Sequence, residues 1–134
     1  MGLSGALAYN SVNATSGVED ADPHMLIQML IDGAIEKTNK AKYFMQEKKI
    51  EQKGQHVSWA ISIISGLQAS LDQENGGEIA ANLDNLYDYC THTLIEANTE
   101  NSVDKLNSVL GVMNDIREGW RGIREHAITS GLES

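Results

Sequence analysis

The apolar residues between Asn101 and Ala127 recur at alternating intervals of three and four positions, which is the spacing of one face of an α-helix. The run consists of Leu106, Val109, Met113, Ile116, Trp120, Ile123 and Ala127. Asn101 or Ser102 precedes it and has the kind of side chain that caps a helix N-terminus. A helix with one such face has to bury it against other elements. The pattern therefore predicts a final helix that packs in a helical protein.

Two earlier segments carry similar spacing. Asp22 as a cap followed by Pro23 predicts a helix start, and apolar residues then recur at three and four positions up to about Gln46. A second helix is predicted from about Ile50 to Leu71. Its inner face is formed by Val57, Ile61, Ile64, Leu67 and Leu71.

A third helix is predicted after the turn at Gly76 and Gly77, from about Glu78 to Ala97. The residues that we expect on its inner face are Ile79, Leu83, Leu86, Cys90, Leu94 and Ala97. Their steps of three and four positions resemble the seam of a coiled coil.

The four predicted helices are joined by short connections, and no segment alternates with a period of two. Short connections make consecutive helices antiparallel. The predicted fold is thus an all-α, antiparallel up-down four-helix bundle with a mobile N-terminal arm. A chain of 134 residues favours one domain, residues 1–134, with an arm (1–21), a bundle (22–128) and a tail (129–134).

The composition excludes several classes of partner. A net charge of −9 and a pI near 4.7 oppose nucleic-acid binding, because a phosphate backbone requires clustered Lys and Arg. No apolar run has the length of a membrane helix, and the first residues do not have the pattern of a secretory signal. A lone Cys90 suits a reducing compartment and a buried position. We therefore expect a cytoplasmic protein without a membrane span.

The sequence offers no complete set of catalytic or metal-binding residues. None of the four His has a Glu three positions before it, which excludes the di-iron motif of many bundles. Asp88 and His92 could form half of a zinc site, but no second pair completes it. His56 lacks the Lys and Gly that follow the phosphorylated His of histidine phosphotransfer domains. We expect no enzyme activity, no metal and no cofactor.

Some apolar residues remain outside the predicted inner faces. Trp59, Ile63 and Gly66 form a second line on the second helix, and Tyr87 and Tyr89 cannot both face one core. They either widen the core or form a groove for a partner helix, since Trp and Tyr are common at partner surfaces. One tyrosine should belong near the core and the other to the surface.

The blocks LDQENGGEIAANLDNLYDYC, ADPHMLIQMLIDGAI, LIEAN and REGW together resemble the flagellin-specific export chaperones, the FliS family. The stretch LDQENGGEIAANLDNLYDYC, from Leu71, is similar to the family pattern "LD…GGEIA-NL--LYDY". ADPHMLIQMLIDGAI, from Ala21, resembles "SPH-LI-MLYDGAI", with Ile31 in place of an aromatic residue. LIEAN, from Leu94, and REGW, from Arg117, fall where the family has "L--AN" and "REAW". The blocks occur in order between about residues 8 and 123.

The resemblance implies a cytoplasmic chaperone that binds the disordered C-terminal region of flagellin, prevents premature polymerisation and assists export by the flagellar type III secretion apparatus. Export gate components are further expected partners, and the expected state is a monomer, with a helix-swapped dimer as the alternative. The alternative function is a helical adaptor or regulator of another export or anti-sigma partner. We expect the arm to lie over the groove. The candidate partner-contact residues are Tyr9, Trp59, Ile63, Leu67, Asn82, Leu86, Tyr87 and Tyr89.

Overall fold

The computed structural model of the protein describes the backbone of residues 22–133 and the side chains of residues 22–123. This part of the chain forms four helices: α1 (Pro23–Gln46), α2 (Ile50–Ala69), α3 (Gly77–Glu100) and α4 (Val103–Glu133). The predicted all-α bundle is confirmed, and α1 has the predicted bounds. The predicted N-terminal arm, including Tyr9, lies outside the described residues.

The starts of α1 and α4 are fixed by local hydrogen bonds to capping side chains. The Asp22 carboxylate accepts from the backbone N–H of Met25 at 2.7 Å, as expected of an N-cap before Pro23. At the start of α4, the Ser102 hydroxyl oxygen accepts from the backbone N–H of Lys105 at 3.2 Å. Ser102 therefore caps α4, whereas Asn101 ends α3 in the left-handed conformation, with φ of 53°.

Helix α2 ends two residues before its predicted end, because the side chain of Asp72 organises a turn. Its carboxylate accepts from the backbone N–H of Asn75 at 3.0 Å and from the Asn75 side chain at 3.1 Å. Gly77, with φ of +58°, then takes a backbone conformation that other residues rarely adopt. Helix α3 continues past Ala97 to Glu100, and α4 continues past residue 128 to Glu133.

The helices run up and down around a common core, each packed against the helix before and after it. Helix α1 packs against α2 and α4, and α3 packs against the same two helices. Gln68, near the end of α2, donates to the Asp84 and Asp88 carboxylates early in α3, both at 2.8 Å. The α1/α2 seam and the α3/α4 seam therefore lie on opposite sides of the bundle.

The start of α2 is tied to the end of α3 by a buried lysine. The Lys53 ammonium donates to the Asn98 carbonyl at 3.0 Å and to the Asn101 side-chain oxygen at 2.6 Å. These acceptors lie at the C-terminal end of α3, where the helix dipole favours a positive charge. The contact holds the loop end of the bundle together.

The first half of α3 is rotated relative to the prediction, since Ile79 and Leu83, which were also expected on the inner face, are only half-buried. Tyr87 is fully buried, whereas Leu86, which we predicted to face inward, is 38% exposed. The buried face of α3 instead consists of Ala80, Tyr87, Cys90, Thr93, Leu94 and Ala97. Ala80, Tyr87 and Leu94 are spaced by seven positions, so they share one face of the helix. This rotation brings Leu86 to the outside of the core.

Candidate functional site

An apolar groove with a volume of about 290 Å³ lies between the first half of α3 and the middle of α4. We call it the α3/α4 groove. It is lined by Ile79, Leu83, Leu86, Val112, Asp115, Ile116, Gly119, Trp120 and Ile123. Asp115 is the one charged residue among them, so the surface offers a partner dispersion and desolvation rather than hydrogen bonds.

The α3 wall of the groove follows from the rotation of that helix. Ile79, Leu83 and Leu86 follow one another at steps of four and three positions, so they form one stripe. Because Tyr87 faces the core, this stripe faces the edge of α3 that borders α4. Ile79 and Leu83 are half-buried and Leu86 is exposed, so a partner can still cover the stripe.

The α4 wall is open at Gly119. A Cβ atom built on Gly119 would meet no heavy atom within 4 Å, so the missing side chain leaves free space in the groove. Val112 and Ile116 flank this opening on one side, about two turns and one turn before it. The sequence reasoning missed this wall, although a glycine inside a predicted helix costs about 1 kcal/mol relative to alanine and so marks a position to examine for a functional role.

The deepest part of the groove wall is Trp120, which is 3% exposed and contacts His24 of α1. Its indole N–H donates to the His24 carbonyl at 2.9 Å, and His24 Nε2 lies 2.8 Å from the Trp120 carbonyl. A carbonyl only accepts, so Nε2 carries a proton. The two rings are stacked, with centroids 4.2 Å apart and planes inclined by 9°. We call this pair of contacts the His24–Trp120 clasp.

The predicted contact residues of α3 divide between the groove, its rim and the core. Leu86 lines the groove. Asn82 and Tyr89 are exposed and lie four positions before and three after Leu86, on the same face of α3. Tyr87 is fully buried, as is Leu67 of α2, so neither side chain is exposed at a surface, and contact of these two residues with a partner stays a prediction. Their side chains fill the core.

Trp59 and Ile63 are not part of the groove. Both belong to α2 and pack against α1, on the opposite side of the bundle. Trp59 is 52% exposed, and the Lys37 ammonium lies 3.7 Å from its ring centroid, a cation–π contact. Ile63 lies 3.5 Å from the position of a Cβ on Gly33. The structure therefore separates these two residues from Leu86 and Tyr89.

The polar side chains considered in the search for chemistry have structural partners. His92 Nδ1 lies 2.9 Å from the backbone carbonyl of Asp88, and His56 Nδ1 lies 2.8 Å from that of Gln52. Burial raises the pKa of the Cys90 thiol to about 12, which keeps it protonated and unreactive. No group of three or more metal-ligating side chains occurs among residues that the structure describes. No helix in the same part of the chain is long and apolar enough to cross a membrane.

Comparison with known proteins identifies a family. The model for the flagellar protein FliS matches residues 5–127. The chain is 44% identical over 125 residues to the flagellar secretion chaperone FliS of Salmonella typhimurium, which covers 92% of this chain and 93% of that protein. It is 43% identical over 115 residues to the flagellar secretion chaperone FliSB of Pseudomonas aeruginosa, with 86% and 91% covered. The flagellar secretion chaperone FliS of Bacillus subtilis is 29% identical over 116 residues, with 87% and 81% covered. These relatives are named as chaperones rather than as enzymes, and the chain belongs to the FliS family of flagellar secretion chaperones.

Proposed function

We propose that the protein is a cytoplasmic chaperone that binds the disordered C-terminal region of flagellin in the α3/α4 groove. By covering that region it prevents premature polymerisation and assists export through the flagellar type III secretion apparatus. The observation that carries the proposal is the groove itself: aliphatic residues border a free space at Gly119 in a protein of this family. Export gate components are proposed as partners of the loaded complex.

The chemistry of the groove fits an amphipathic segment. A disordered chain that folds against an apolar groove presents side chains at helical spacing to it and leaves its polar face in water. Ile79, Leu83 and Leu86 repeat at that spacing along the α3 wall. Ordering the bound segment costs a few kcal/mol, which reduces the net free energy of binding. Binding can therefore be specific and still reversible.

The net charge of the chain suits a chaperone for a self-associating cargo. The protein carries a formal charge of −9, and such a charge keeps a protein and its complexes dispersed. Most of the groove lining is uncharged, so the charge acts on the solubility of the complex rather than on the contact itself.

Gly119→Leu tests the groove directly. The new side chain would occupy the free space in the α4 wall, while the helix gains stability because a glycine is removed from its interior. Gly111→Leu is the matched control, because Gly111 is an exposed glycine of α4 with equal free space and does not line the groove. Binding is measured by calorimetry with purified flagellin and with flagellin that lacks its C-terminal region.

We expect intact flagellin to bind the natural protein and the Gly111→Leu variant, and truncated flagellin to bind neither. Gly119→Leu should weaken binding by at least roughly tenfold, which corresponds to about 1.4 kcal/mol. Equal affinity of the two leucine variants would show that flagellin does not use the groove. Binding that does not need the C-terminal region of flagellin would contradict the choice of segment. An absence of flagellin binding would favour the adaptor alternative.

A further inference from the structure

The His24–Trp120 clasp joins the start of α1 to the groove wall. Its two partners are 96 positions apart, and each one places a ring nitrogen against the backbone carbonyl of the other. His24 does not line the α3/α4 groove, whereas Trp120 does. Any movement of the indole therefore changes the groove, and His24 holds the indole from behind.

The clasp fixes the orientation of the indole more tightly than packing alone. A tryptophan ring turns about two side-chain torsions. The hydrogen bond from its N–H to a backbone carbonyl sets the direction of the ring edge, and the stacked imidazole sets the plane of the ring. The imidazole is itself held, because Nε2 is bonded to the Trp120 carbonyl, which is part of helix α4.

We propose that His24 is a positioning residue of the groove: it holds the Trp120 indole as a preformed wall, so that flagellin binds without first ordering that side chain. This inference rests on the proposed function, since flagellin is the ligand whose affinity it affects. A preformed wall raises affinity because less freedom is lost on binding. The effect on Trp120 itself exists without any ligand.

The experiment uses the full chain with Trp59→Phe as the parent, which leaves Trp120 as its sole tryptophan. His24→Ala removes the ring and its nitrogen, His24→Phe retains a stacking ring, and His24→Gln retains a nitrogen donor. His92→Ala is the matched control, because His92 is an exposed histidine whose Nδ1 lies against a carbonyl of its own helix. Each variant is compared with the parent for Trp120 emission, for acrylamide quenching without flagellin, and for flagellin affinity. Helix content is checked by circular dichroism.

We expect His24→Ala to shift Trp120 emission to the red, to increase its quenching and to weaken flagellin binding roughly tenfold. His24→Phe and His24→Gln should each have a Trp120 quenching and a flagellin affinity between those of His24→Ala and the parent. The variant with the lower quenching should also bind flagellin more tightly. His92→Ala should change neither. If His24→Ala does not fold, the Phe and Gln variants decide, because each removes one half of the contact from a folded protein.

Unchanged Trp120 emission and quenching in the His24 variants would overturn the inference, as would increased quenching with unchanged affinity. Flagellin that binds neither the natural protein nor the parent would contradict the proposed function. In that case the quenching of Trp120 still decides whether His24 holds the indole, and uptake of an apolar dye by the groove, compared between parent and His24→Ala, replaces affinity as the second measurement. The two ideas can therefore fail separately.

Discussion

Tyr87 and Tyr89 offer a matched test of the α3 rotation, because they are the same residue type two positions apart on one helix. Tyr87 is fully buried and Tyr89 is 46% exposed. We predict that Tyr87→Ala lowers the free energy of unfolding by about 3–5 kcal/mol, the usual cost of truncating a buried aromatic residue. Replacing a helical tyrosine with alanine returns about 0.5 kcal/mol through helix propensity, which slightly reduces that loss.

Tyr89→Ala has the same gain in propensity and little loss of burial. We expect its free energy of unfolding to lie within about 0.5 kcal/mol of the natural protein, as for most surface substitutions. Unfolding in urea, followed by circular dichroism, separates the two. With a slope of about 1–3 kcal/mol per molar urea, Tyr87→Ala should lower the midpoint by about 1–5 M.

A milder variant protects the test against complete unfolding of Tyr87→Ala, since whole domains are stable by only about 5–15 kcal/mol. Tyr87→Phe retains the buried ring and should keep most of the stability. Equal urea midpoints for Tyr87→Ala and Tyr89→Ala would refute the rotation of α3, and with it the placement of Leu86 in the groove. Flagellin affinity should show the opposite ranking to stability. Among folded variants, Tyr89→Ala should weaken flagellin binding more than Tyr87→Phe, since Tyr89 lies on the rim of the α3/α4 groove.

Three further predictions concern other parts of the chain. The Cys90 thiol should resist a thiol reagent at pH 8 in the folded protein and react on unfolding. Because burial raises the pKa of this thiol from 9.0 to about 12, its contribution to stability is complete below pH 9 and is lost as the pH rises from 9 towards 12. Urea unfolding at several pH values across that range measures the loss. Lys53→Met should lower the free energy of unfolding by about 1–3 kcal/mol, since the Asn98 carbonyl and the Asn101 side chain lose a buried donor. Lys49→Met, at an exposed position, should have little effect. Thermal melts of the two variants measure the difference. Deletion of residues 1–12 should leave helix content unchanged, raise the binding of an apolar dye and change flagellin affinity; unchanged dye and flagellin binding would show that the arm does not cover the groove.

The helices could be predicted from the sequence because their signals are local. The Asp22 side chain accepts a hydrogen bond from an N–H three positions later in the chain, and the Ser102 side chain does the same. The seam of α4 is also local, and its residues Leu106, Val109 and Met113 are buried as predicted. Each of these signals involves residues within a few turns of one another, so no knowledge of the packing is needed to interpret them.

The rotation of α3 could not be predicted in the same way, because two seams were available. One contains Leu83 and Leu86, and the other contains Ala80 and Tyr87; both have helical spacing. Hydrophobicity alone favours the leucines. The structure uses the second seam, in which the small Ala80 and the large Tyr87 are both fully buried. Which seam faces inward depends on the volumes of the side chains that the neighbouring helices place opposite it, and the sequence of α3 does not contain that information.

The candidate site depends on this same choice, which explains why only part of it was predicted. With Tyr87 in the core, Leu86 and Leu83 are turned towards the edge of α3, and they become a wall where α4 has a glycine instead of a side chain. Had Leu86 faced inward, the tyrosine would lie outside the core and this aliphatic wall would be lost. The groove is thus a consequence of how α3 satisfies its own core, and Gly119 on α4 keeps it open. Both helices contribute to the site. Leu86 on α3 could be predicted from its apolar character alone. The opposite wall and the His24–Trp120 clasp could be identified only from the packed structure.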